Sequence, residues 1–136
     1  MEQTELIIKY TKQIAKDEGF DVNVKFINLY CSGKKSTLGT CNKGKNRIRF
    51  NLVYSVPYKY YKQIYPKLNI WETMLHEICH LKDNKWIQCR AYRLSDLKKN
   101  EYIDWTHNID FWKRLRVMRR KYAKLKKEFF ENVQQN

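Results

Sequence analysis

Apolar positions recur along the chain with two periods. In residues 4–18, Leu6, Ile7, Tyr10, Ile14 and Ala15 fall at three- and four-residue spacing, and Gly19 is a natural stop, which predicts a helix. In residues 21–30 the period drops to two: Val22, Val24 and Phe26 point one way, as in a strand with one buried face, with Leu29 a further candidate for that face. The stretch from Cys31 to Lys45 is rich in Gly, Ser and Lys and reads as a turn or open loop, with a short strand near Thr37–Thr40. Alternation returns in residues 46–55, with Ile48, Phe50 and Leu52 on one side and Arg47, Arg49 and Asn51 on the other.

Pro57 ends that strand, and Tyr58 to Tyr65 predict a short aromatic helix stopped near Pro66. Asn69 is placed to cap a helix from Ile70 to about Asp83, with Glu72 at the third position to reach back. Residues 84–106 have weak periodicity and read as a loop with a helical turn. A last helix is expected from about Asn108 to Val133, its stripe formed by Phe111, Leu115, Met118, Tyr122, Leu125 and Phe129. The expected architecture is α+β in one domain over 1–136: a small twisted sheet packed against the 70–83 helix and a long C-terminal helix.

Composition adds one outlier. The 136 residues carry 28 Lys+Arg against 14 Asp+Glu, a formal net charge of +14. A balance this basic attracts polyanions and says nothing about fold. The excess is local: residues 31–70 hold 9 basic and no acidic side chains, and residues 111–136 hold 9 and 2. The segment between them, 71–110, is close to neutral. No apolar run reaches the roughly 18–20 residues that span a bilayer, so no membrane partner is expected. The acidic start at Glu2 and Glu5 lacks the basic and apolar character of an export signal. An intracellular setting, cytoplasmic or nucleoid/nuclear, with reduced cysteines is the expectation. Cys31, Cys41, Cys79 and Cys89 form no C-x-x-C pair.

The near-neutral segment holds the chemistry. His76-Glu77-Ile78-Cys79-His80 is an H-E-x-x-H. On a helix, residues four apart share a face, so both imidazoles reach one metal ion. Glu77, beside the first ligand, can take a proton from water that the metal activates and pass it to a leaving amine. The rest of the helix is apolar (Met74, Leu75, Ile78, Leu81), so one side faces a core and the other a cleft. Cys79, about 100° round the helix from His80, reads as a core residue. The competing reading is a pair of surface histidines without metal. A catalytic zinc needs a third protein ligand and an open position. Candidates are His107, the one remaining histidine, and Asp96, Glu101, Asp104 or Cys89.

His76 to His80 with Leu81, followed by His107-x-x-x-Phe111-Trp112, resembles the SprT-like (Spartan-type) zinc metalloproteases and the related YgjP-type zincins. Leu38-Gly39-Thr40-Cys41 through Ile48-Arg49-Phe50-Asn51 is similar to the strand segment that precedes the active helix in those families. The gap from His80 to His107 is closer to SprT-like proteins, and the resemblance covers about residues 20 to 120. It implies a zincin fold, one zinc per chain on His76, His80 and His107, Glu77 as catalytic base, and peptide-bond hydrolysis. It also implies substrates that are proteins bound or crosslinked to DNA, as in DNA–protein crosslink repair. Asn108 stands where SprT-like proteins usually have Gly, and the C-terminal zinc ribbon of many members has no counterpart here, which leaves DNA binding to the basic surface.

Two further expectations concern substrate. Ile48, Arg49, Phe50 and Asn51 are read as the edge strand beside the cleft, to which a peptide substrate adds by main-chain hydrogen bonds. Lys34, Lys35, Lys43 and Lys45 of the loop, with Arg116, Arg119, Arg120 and Lys124 of the last helix, are read as phosphate contacts. Tyr58, Tyr60, Tyr61 and Tyr65 fit half-core positions better than base stacking. A second oxyanion donor could come from Tyr102 or an Arg in 84–106. The competing functions are a zinc-containing nucleic-acid-binding module and an inactive zincin scaffold. The oligomeric state has no signature in the sequence.

Overall fold

Residues 2–29, 37–83, 107 and 109–135 are described by the computed structural model. Among them are five α-helices and a small mixed sheet, an α+β arrangement. Helix α1 (Gln3–Asp17) buries Leu6, Ile7, Tyr10, Ile14 and Ala15, the face its spacing predicts. Gly19 follows at φ +98, a conformation that favours glycine and turns the chain toward the sheet. The strands are β1 (Asn23–Ile27), β2 (Gly39–Asn42) and β3 (Arg47–Asn51). Strand β2 starts two residues later than the short strand expected at 37–40.

The sheet order is β1-β3-β2, with β1 parallel and β2 antiparallel to β3. This corrects the expectation that Ile48, Arg49, Phe50 and Asn51 form an edge. Their strand is central, with its main chain paired on both sides. Alternation along a strand reports which face is buried and carries no information on lateral neighbours. Ile48 lies between Val24 and Cys41, and Phe50 between Phe26 and Gly39. The Asn51 side chain is spent inside the fold, donating to the Thr37 carbonyl at 2.7 Å and accepting from Val53 N–H at 2.9 Å. Leu52, expected on the buried face, is 45% exposed because the chain leaves the sheet there in a 3-10 turn, Leu52–Ser55. Among the described residues the edges of the sheet are β1, which packs on α1, and β2, which packs on α3.

Helix α2 (Tyr58–Ile64) buries Tyr61 fully, with Tyr58 packed on it, while Tyr60 and Tyr65 are exposed. Helix α3 (Ile70–His80) begins as predicted: Asn69 Oδ1 accepts from Glu72 N–H at 3.3 Å. The Glu72 carboxylate is directed to Arg119, 2.6 Å away. Helix α3 packs on α1 and β2 and on α4 (Ile109–Lys121).

The long last helix is two helices. Between α4 and α5 (Ala123–Gln134), Tyr122 has φ −105 and ψ 16, outside the helical region. The apolar stripe runs across the break: Phe111, Leu115, Met118, Tyr122 and Phe129 are all buried. With no Gly or Pro at the bend, periodicity alone could not locate it. Its visible cause is tertiary: the Tyr122 hydroxyl is held by Asp17 and Glu18 at the end of α1. Helix α5 then packs along α1, where Phe129 meets Tyr10 edge-on at 5.2 Å.

Candidate metal centre

The centre starts with the way α3 ends. After His80 the chain tightens: Lys82 N–H bonds to Cys79 O at 3.0 Å and Asp83 N–H to His80 O at 3.1 Å. Bonds of this i→i+3 kind give about three residues per turn and bring residues three apart over one another. The helix therefore stops short of the expected Asp83, and Asp83 comes round onto His80. The His80 Nδ1 and Asp83 Oδ2 atoms are 3.1 Å apart.

His76 and His80, one turn apart on α3, are joined by His107 from just before α4. Their Nε2 atoms form a triangle: His76 to His107 2.9 Å, His80 to His107 3.1 Å, and His76 to His80 3.2 Å. Four nitrogens placed tetrahedrally at about 2.0–2.1 Å from a zinc ion are separated by about 3.3 Å. The triangle matches one face of that shell to within a few tenths of an ångström, and all three atoms are the same kind of donor. The three histidines are close enough to bind one metal ion. His76 and His80 are buried and His107 is partly exposed, so His107 forms the outer side.

Phe111 is the floor. Its ring stacks on His80 at 4.5 Å and meets His76 at 4.9 Å and His107 at 5.1 Å. Trp112, 37% exposed, stands 6.0 Å from His107 and 6.3 Å from His76. Burial holds His76 well below the ordinary imidazole range, and His80, His107 and Arg119 push it further in the same direction. A neutral imidazole keeps its lone pair for a metal. Cys79 faces the other way, with its thiol toward the Phe111 carbonyl at 3.5 Å. Burial, the leading cause, raises its pKa to about 11, so it is no ready thiolate ligand.

Glu77 is fully buried between α3 and β2. A Cβ built on Gly39 would lie 3.1 Å from its Cγ and 3.2 Å from its Oε2, and 3.0 Å from Thr73 Cγ2. Gly39 is thus the residue that lets the strand lie against the glutamate.

The expected phosphate contacts scatter. Lys34 and Lys35 lie outside the described residues, as do Tyr102 and the rival ligands Asp96, Glu101, Asp104 and Cys89. Lys45 is exposed and Lys43 partly so, in the turn between β2 and β3. Arg116, Arg120 and Lys124 are exposed on α4 and α5, but Arg119 is bound to Glu72. Three of the nine bases on the last two helices serve the fold: Arg114 pairs with Asp83, Arg119 with Glu72 and Lys121 with Asp17 and Glu18. Asp83 and Arg114 were not singled out by sequence reasoning. The readable signal was an acid three residues after the second histidine.

No family model, curated protein or solved structure matches the chain. No helix among the described residues is long and apolar enough to cross a membrane.

Proposed function

We propose that this chain is a zinc-dependent peptidase of the zincin kind, with His76, His80 and His107 holding one zinc and Glu77 as general base. The observation that carries the reading is the triangle of three Nε2 atoms with a glutamate next to the first ligand in sequence. Three like donors suit a catalytic site, which keeps a coordination position for substrate or water; a closed structural site uses four. When bound, zinc supplies Lewis acidity, lowering the pKa of water and polarising a carbonyl.

The chain's own groups do the rest. Glu77 accepts a proton from the attacking water and returns it to the leaving amine. The outer edge of β2, next to Glu77, is the rail along which an extended peptide adds as a further strand. Trp112, half-exposed beside His107, forms a wall against which a substrate side chain packs. The motif resemblance to SprT-like proteases and the exposed bases Lys45, Arg116, Arg120 and Lys124 support proteins held on DNA as the substrate class.

The test is direct. Purified protein should carry about one zinc per chain. Cleavage of a DNA-bound basic protein should be stimulated by DNA and abolished by Glu77→Gln with zinc retained. If wild type keeps zinc and cuts nothing with or without DNA, the peptidase reading fails in favour of a zinc-holding nucleic-acid module.

A further inference from the structure

We infer that Asp83, clamped by Arg114, is the positioning residue that fixes which nitrogen of His80 faces the metal; the inference rests on the metal-centre reading above. Asp83 Oδ2 lies 3.1 Å from His80 Nδ1, and Asp83 Oδ1 accepts from Arg114 Nη2 at 2.8 Å. A carboxylate has only acceptor sites, so Nδ1 must carry the proton. The lone pair is then on Nε2, the atom that faces His76 and His107. In the other tautomer His80 would bring an N–H into the triangle and could not ligate.

The geometry leaves Asp83 little freedom. It follows the tight turn that ends α3, and its side chain is 11% exposed. Arg114 comes from the second turn of α4, so the clamp joins the end of α3, which carries His76 and His80, to the helix that follows His107. His80 itself has no exposed surface and is stacked on Phe111, so its ring cannot turn to exchange one nitrogen for the other without disturbing the core. Ligand, acid and arginine form one line from α3 to α4. Such outer partners typically change metal affinity about 10–100-fold when removed.

The experiment uses the full chain with zinc as the probe, in two measurements. Chelator competition gives zinc affinity, and nitrogen-15 shifts of His80 in the metal-free protein give its tautomer. Wild type should show the Nδ1–H form. Asp83→Ala should mix the tautomers and weaken zinc about 10–100-fold. Asp83→Asn has one acceptor oxygen, which Arg114 Nη2 takes, and turns an N–H2 donor toward Nδ1, so at nearly unchanged shape it should shift His80 to the Nε2–H form and weaken zinc at least as much as Asp83→Ala. Arg114→Gln should fall between, and it and Asp83→Asn carry the test if the alanine variant does not fold. An Nε2–H tautomer in wild type, or unchanged tautomer and affinity in Asp83→Ala, would overturn the inference. A protein that binds no zinc yet loses the Nδ1–H form in Asp83→Ala would sink the metal reading and leave the role of Asp83 standing.

Discussion

Helix α4 and the tail of α3 fasten two polar clusters. At Glu18, one carboxylate, its side chain 5% exposed, accepts from Lys82, Lys121 and the Tyr122 hydroxyl. At the histidines, three nitrogens of one kind converge within 3.2 Å. The first cluster has complementary charges and joins α1, the end of α3 and the α4–α5 bend. The second brings three donors of one kind together, close enough to bind one metal ion. Burial of ionisable groups is common to both, so burial alone does not mark a functional site. What sets the histidine cluster apart is the convergence of three like nitrogens.

The largest effect should come from exchanging lesions between the clusters. His107→Ala removes a partly exposed imidazole, the third proposed ligand, so it should abolish stoichiometric zinc while metal-free stability changes by less than about 1 kcal/mol. Glu18→Ala should do the reverse: full zinc content, and a loss of about 2 kcal/mol from leaving Lys82 without its acceptor and Lys121 and the Tyr122 hydroxyl with Asp17 alone. Zinc analysis and urea unfolding of the two variants decide it. Zinc lost in both, or in neither, would erase the distinction.

Glu77 comes next. Glu77→Gln should lower turnover about 10²–10⁴-fold with zinc unchanged. A turnover within about threefold of wild type would move the base to another residue.

Acid should separate the clusters along the pH axis. His76 is depressed in the folded state by burial, so below about 6.5 the unfolded chain takes up protons the folded chain refuses. Stability of the metal-free protein should therefore fall as pH drops below about 6.5. Glu18 behaves with a different onset. Burial alone would raise it, but hydrogen bonds from Lys121, Lys82 and Tyr122 outweigh that and hold it at about 2, against 4.5 ordinarily. Its contribution is present above about 4.5 and is lost as pH falls from there toward about 2. With both lysines partly exposed, that contribution is on the order of 2 kcal/mol. Urea midpoints against pH should show two acid limbs in wild type and only the upper one in Glu18→Gln. A single limb shared by both proteins would break the assignment.

The sequence made the first cluster half invisible and the second nearly plain. His76, Glu77 and His80 are readable because one helix turn sets their geometry, and the Asn69 cap fixes where that helix starts. His107 is four residues before Phe111, and Phe111 turns out to floor all three imidazoles. What could not be read depends on other elements. Arg49 and Phe50 alternate equally well on an edge or a central strand. The bend at Tyr122 follows from Asp17 and Glu18, more than a hundred residues away in sequence. Arg114 and Lys121 look like any other bases on a solvated face until Asp83 and Glu18 are beside them.

Two glycines give the smallest and sharpest comparison, one beside each cluster. Gly19 follows Glu18 at φ +98, and a Cβ there would meet nothing within 4 Å. Its requirement is conformational. Gly19→Ala should cost about 1 kcal/mol of stability and leave turnover per folded molecule unchanged. Gly39 has the opposite requirement, space: its Cβ would press on Thr73 at 3.0 Å and on Glu77 at 3.1 Å. Gly39→Ala should cost a similar amount, about 1–2 kcal/mol, since strand and helix must part by a few tenths of an ångström. The displaced atoms belong to Glu77, the proposed general base, so turnover should fall about tenfold while zinc affinity holds. Equal stability losses with unequal losses of turnover would show that β2 is set against Glu77 for chemistry. Equal losses of both would reduce Gly39 to packing, and β2 would lose its proposed role as the rail for an extended peptide.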